Sequence, residues 1–70
     1  MAEYISNTVH TLRTTKGLTQ EELAEKVGVS RQTIISIEKG NYTPSVLLAL
    51  KIASVFRAGV EELFKIRHEK

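Results

Sequence analysis

The sequence predicts a small all-α domain of five short helices, on three observations. Apolar residues recur at intervals of three and four through most of the chain. Glycines at 17, 28, 40 and 59, with the single proline at 44, cut the chain into pieces of helical length. Small polar residues, among them Thr19, Ser30 and Ser45, stand just ahead of these pieces, where a helix needs a side chain to accept its first free N–H groups.

Helix one is expected from about Asn7 to Lys16. Ser6 or Asn7 would cap it, Val9 and Leu12 share one face, and Gly17 suits the left-handed position past its end. Helix two opens with Thr19 and has Glu22 three residues on, a capping box, while Leu18 and Leu23 occupy staple positions. Leu23, Ala24 and Val27 form its buried stripe. Gly28 allows a tight turn, and Val29 and Ile34 repeat the staple around Ser30. Helix three then spans about Arg31 to Lys39, with Gly40 as its stop. Ser45 caps helix four, about Val46 to Phe56. Helix five runs from about Val60 to Phe64 or Lys65. The tail "KIRHEK" is either frayed or a strand. In the second case "EYI" and "FKI" pair as a small terminal β-ribbon.

Seventy residues make one domain, residues 1–70. A chain this short buries only about 60% of its unfolded surface, so helix packing, alone or with dimerisation, must supply stability. It has no cysteine, which fits a reducing cytoplasm and excludes disulfides. No apolar run reaches the roughly 18 residues of a membrane span, and the N-terminus lacks a signal-peptide pattern. The localisation expected is cytoplasmic, with no membrane partner.

Two short capped helices joined by a glycine turn, at about residues 19–39, are the skeleton of a helix-turn-helix. The second helix can enter a major groove about 12 Å wide. The first lies across the backbone with its positive dipole end near a phosphate. Thr19 and Gln20 stand at that end. Ser30, Arg31 and Gln32 stand at the start of the next helix. The net charge is +2, but residues 17–40 carry three cations against four carboxylates. Binding to DNA would therefore use a few placed cations, backbone N–H groups and polar side chains.

The stretch "LRTTKGLTQEELAEKVGVSRQTIISIEKGNYTPSVLLALKIASVF" resembles the Cro/CI-type (XRE-type) helix-turn-helix regulators, over about residues 7–64. The resemblance implies a compact five-helix, lambda-repressor-like fold that binds double-stranded operator DNA, usually as a homodimer on a palindromic site. It assigns Gln20 to a phosphate or outer base, and Ser30, Arg31, Gln32 and Ser36 to base edges. Lys39, Asn41 and Thr43 match the loop that meets the DNA backbone. It also pairs Arg13 with Glu38 in a structural salt bridge. Side-chain chemistry agrees, since arginine can bind guanine O6 and N7 and glutamine adenine N6 and N7. Ile35, one turn beyond Arg31, lies towards the same face. It is either covered by a neighbouring loop or free to touch a thymine methyl.

The sequence departs from the family pattern at Arg57, where glycine is common, and at Gly59, where a capping residue is common. The corner between helices four and five is therefore expected to be displaced or looser. Leu47 stands where a polar residue is frequent, and with Val60, Leu63, Phe64 and Ile66 it is a candidate dimer face.

Other function classes fare poorly. There is no Gly-rich phosphate loop, nucleophile elbow or metal-ligand spacing, so neither an enzyme nor a cofactor nor a metal is expected. His10 and His68 read as surface residues. Glu21–Glu22 and Glu61–Glu62 read as complements of helix N-terminal dipoles. The rival reading is an antitoxin or co-regulator acting as a protein-interaction module, but only about six residues follow the fold. The expected function is transcriptional regulation, with repression the favoured outcome and no small-molecule effector.

Overall fold

The computed structural model describes residues 2–68. The chain runs β1 (Glu3–Asn7), α1 (Val9–Thr15), α2 (Gln20–Val27), α3 (Arg31–Glu38), α4 (Val46–Phe56), α5 (Val60–Leu63) and β2 (Phe64–His68). β1 and β2 pair antiparallel in one two-stranded sheet, with Glu3 opposite His68 and Asn7 opposite Phe64.

Local chemistry sets the starts of three helices. Thr19 Oγ1 accepts from Glu22 N at 3.0 Å while Glu22 Oε1 accepts from Thr19 N at 2.8 Å, a complete capping box. Ser30 Oγ accepts from Thr33 N at 3.2 Å, and Ser45 Oγ from Leu48 N at 3.1 Å. Each cap contributes about 1 kcal/mol. The apolar stripes then close on one another. Val9, Leu23, Val27, Ile34, Ile37, Ile52, Phe56 and Leu63 form the heart of one buried cluster, so all five helices contribute to it.

Both ends of the helical body differ from expectation. Helix α1 begins at Val9, because Ser6 and Asn7 belong to β1. Asn7 still serves the helix from outside it. Its Oδ1 accepts from Val9 N at 3.1 Å, and its Nδ2 donates to Ile37 O at 2.9 Å, tying the strand to α3. Helix α5 stops at Leu63, since Phe64 adopts an extended conformation and opens β2. The residues expected to prolong α5 are taken up by the ribbon. The last residues of the tail, Glu69 and Lys70, lie outside the described residues.

At the α4–α5 corner, α4 ends at Phe56 and α5 opens at Val60 without the usual residues. Arg57 takes the left-handed conformation itself (φ 53°, ψ 41°), and Ala58 N donates to Ala53 O at 3.0 Å. Gly59 precedes α5 without a capping side chain, so Glu62 N donates to Gly59 O at 3.0 Å, while Glu62 Oε1 accepts from Gly59 N at 2.7 Å. No helix among the described residues is long and apolar enough to cross a membrane.

Candidate nucleic-acid interface

The turn between α2 and α3 depends on Gly28. Its φ of 77° lies in the left-handed region, and its N–H and that of Val29 both reach back to Ala24 O, at 2.9 and 3.0 Å. A side chain at position 28 would meet no neighbour, so the requirement is for the backbone angle rather than for space.

Ile34 and Ile37 are fully buried and fix the rotation of α3. With 100° per residue, Gln32, Ile35 and Ser36 are turned outward, with Arg31 beside them. Arg31 and Gln32 are exposed, while Ile35 and Ser36 are half-buried. Ile35 stays outside the core cluster and outside the set of residues packed against it. Ser30, at the head of the helix, spends its acceptor on the cap, and its hydroxyl lies 3.1 Å from Thr33 Oγ1. A base contact by Ser30 would have to share that hydroxyl.

At the start of α2, Arg13, Gly17, Leu18, Thr19, Gln20, Glu21 and Arg31 line one shallow hollow. Thr19 N is occupied by Glu22, so the N–H groups of Gln20 and Glu21 are the ones without an acceptor inside the helix. They and the nearby arginine can receive a phosphate oxygen. The Glu22 carboxyl is held below its ordinary value by the Thr19 N–H and hydroxyl. Beyond α3, Lys39, Asn41 and Thr43 are all exposed, and Asn41 N is anchored to Ser36 O at 2.9 Å.

Behind this face lies a buried ion pair. Arg13 donates from Nε to Glu38 Oε2 at 2.7 Å and from Nη2 to Oε1 at 3.2 Å, with the two side chains only 9% and 6% exposed. Arg13 Nη1 also donates to Leu18 O at 2.8 Å. Gln20 Nε2 donates to Glu38 Oε1 at 3.2 Å, joining the start of α2 to the end of α3. Burial pushes the Glu38 carboxyl up, but the hydrogen bonds from Arg13, Gln20 and His10, with the Arg13 charge, outweigh it and hold it below its ordinary value. His10 is exposed but not idle. Its Nδ1 lies 3.1 Å from Arg13 Nη2 and 3.3 Å from Glu38 Oε1. Its position three residues before Arg13, hence on the same helix face, was the available sequence signal. The Gln20–Glu38 link has no local signal.

The candidate dimer residues are split by the fold. Leu63 is 0% exposed, so it belongs to the chain's own core and cannot present itself to a second copy. Val60 and Phe64 line an almost wholly apolar groove with Ile5, Pro44, Val46 and Leu50. Ile66 is exposed on β2 opposite Ile5. Leu47 is exposed too, but lies about 100° round α4 from Val46 and does not line the groove. Ile5, Val46 and Leu50 were missed. The signal was Val46 and Leu50 at i and i+4, off the stripe of Leu48 and Ile52. Among the described residues, no group of three or more His, Cys, Asp or Glu converges as metal ligands.

Comparison with known proteins gives a consistent result. A sequence model described as "Helix-turn-helix" (HTH_3) matches residues 9–63. An uncharacterised HTH-type transcriptional regulator of Archaeoglobus fulgidus is 57% identical over 56 residues, covering 80% of each chain. The HTH-type transcriptional regulator YgzD of Bacillus subtilis, also uncharacterised, is 49% identical over 93% of this chain and 98% of its own length. Among solved structures, the restriction-modification controller protein C.AhdI from Aeromonas hydrophila superposes with a TM-score of 0.72. It is 35% identical, over 77% of this chain and 82% of that one.

Proposed function

Because the chain belongs to the helix-turn-helix family of DNA-binding transcriptional regulators, which are not enzymes, we propose that it is a repressor that binds a palindromic operator as a homodimer. α3 enters the major groove. Arg31 and Gln32 read base edges, with Ser36, Ile35 and the shared hydroxyl of Ser30 beside them. Thr19 and Gln20, at the start of α2, hold one phosphate, and Lys39, Asn41 and Thr43 hold the backbone on the other side. The observation that carries this reading is the rotation of α3. With Ile34 and Ile37 locked inside, the polar side chains at its exposed start face away from the body, beside a hollow suited to phosphate.

The whole chain acts as one DNA-binding domain. The apolar groove of Ile5, Val46, Leu50, Val60 and Phe64, extended by Ile66 opposite Ile5 and by the exposed Leu47 further round α4, joins two copies. Their α3 helices then address successive major grooves about 34 Å apart on one face of the duplex. Occupancy blocks polymerase, in whichever compartment holds the DNA, the cytoplasm on the sequence reading. No small-molecule effector is invoked, and concentration of the dimer sets occupancy. Selection of bound duplexes from a random pool tests the proposal. An enriched inverted repeat is expected. No enriched sequence, with a stoichiometric protein partner retained instead, would favour a protein-interaction module.

A further inference from the structure

Two donors and one imidazole nitrogen converge on one oxygen of the buried carboxylate, and one of the donors belongs to the start of α2. Glu38 Oε1 accepts from Arg13 Nη2 and from Gln20 Nε2, each at 3.2 Å, and lies 3.3 Å from His10 Nδ1. Glu38 Oε2 is occupied by Arg13 Nε at 2.7 Å. We propose that Glu38 is the positioning residue for Gln20, and that a proton on His10 loosens its hold. The proposal rests on the reading above that Gln20 meets DNA.

The geometry supports it in two steps. One Nε2 hydrogen of Gln20 is committed to Glu38, which fixes the amide plane. The second Nε2 hydrogen and the carbonyl oxygen are then presented from a set position at the hollow shared with Arg31. An amide tethered in this way loses less rotamer freedom on binding than a free one. The carboxylate is not itself available to DNA, since its side chain is only 6% exposed and its charge is matched by Arg13.

The second step concerns His10. The charged and titratable groups that meet its ring are Arg13 on α1 and Glu38 on α3, while α2 brings only the neutral Gln20 amide to the cluster. In the neutral ring protonated at Nε2, Nδ1 accepts from Arg13 Nη2, and the carboxylate oxygen is left to Arg13 and Gln20. A proton taken from solvent onto Nδ1 reverses that contact. The ring can no longer accept from Arg13, it places a second cation beside the guanidinium, and it donates to Glu38 Oε1. Three donors then compete for one oxygen, and the neutral Gln20 amide is the weakest of them.

Two measurements on the intact chain test the proposal. In the DNA-free protein, the side-chain amide resonances of Gln20 are expected to shift between pH 8 and 5.5 with the midpoint of the His10 ring, and to stay fixed in His10→Gln. Fixed resonances in the wild type would overturn the proposal. On a selected operator duplex, Gln20→Ala is expected to weaken binding about fivefold at pH 8. That ratio should fall towards one at pH 5.5, and should be equal at both pH values in the His10→Gln background. The ratio, unlike affinity alone, is not moved by the general gain of positive charge at low pH. An equal ratio at both pH values in the wild-type background would overturn the pH-dependent hold. If Gln20 resonances follow His10 but Gln20→Ala leaves affinity unchanged at pH 8, it is the DNA contact of Gln20 that fails.

Discussion

Arg13 and Glu38 meet through two side-by-side hydrogen bonds, at 2.7 and 3.2 Å, across the packed faces of α1 and α3. Removing either partner leaves the other charge buried without its match. Arg13→Ala is expected to cost about 3–5 kcal/mol, a large part of the stability of so small a domain. The pH dependence has a definite sign. Glu38 is held below its ordinary value, so its contribution is full above the usual glutamate pKa near 4.3 and is lost as pH falls through the lower folded value. Thermal melting should therefore show the gap between wild type and Arg13→Ala widest near neutrality and narrowing as pH falls, because burial without Arg13 leaves Glu38 of the variant the first to be protonated. A gap that widened in acid would contradict the assignment.

Arg57 carries the only positive φ on a residue other than glycine among those described. A left-handed conformation costs an L-residue with a side chain roughly 1–2 kcal/mol. Arg57→Gly should regain about 1 kcal/mol of this, partly offset by the greater entropy of glycine in the unfolded chain. For a domain of this size, about 1 kcal/mol is roughly 4–8 °C in Tm. Calorimetry that found the variant no more stable would mean that Arg57 makes a compensating contact.

The apolar groove gives a prediction about assembly. Leu50 is 53% exposed and outside the core cluster, so Leu50→Glu should leave the fold intact by circular dichroism. Sedimentation should show a monomer at concentrations where the wild type is a dimer, with operator affinity lowered in parallel. A dimer that survived Leu50→Glu would place the interface elsewhere, with Leu47 the next residue to substitute.

Ile35 stands on the outer side of α3, half-buried and apart from the core. Ile35→Ser should leave Tm nearly unchanged and remove a preference for thymine at one position of each half-site. A contact with a thymine methyl is the major-groove feature an aliphatic side chain can read. A fall in Tm with unchanged base preference would make Ile35 a packing residue.

The parts legible in the sequence were those decided within a few residues. Thr19 with Glu22, Ser30 and Ser45 act as caps because a hydroxyl one turn from a free N–H needs no distant partner. The buried phase of α3 followed from Ile34 and Ile37 alone. Where the outcome depended on residues far along the chain, the reading was weaker. Asn7 looked like part of a helix because its pairing with Phe64 is invisible from either segment alone. Leu63 looked available because α5 spans only four residues, too few for periodicity to separate an inner face from an outer one. The Gln20–Glu38 bond spans eighteen positions and depends on how α2 and α3 cross.

The central claim, that the outer start of α3 reads sequence while its flanks only hold the backbone, is tested most directly by selecting duplexes from one random pool with wild type, Arg31→Ala and Lys39→Ala. Arg31→Ala is expected to retain binding but lose discrimination at one position in each half-site, by about 1–3 kcal/mol. Lys39→Ala is expected to keep the wild-type sequence preference, bind all sequences more weakly, and lower the salt slope by about one. An Arg31→Ala selection identical to wild type in both preference and affinity would contradict the claim.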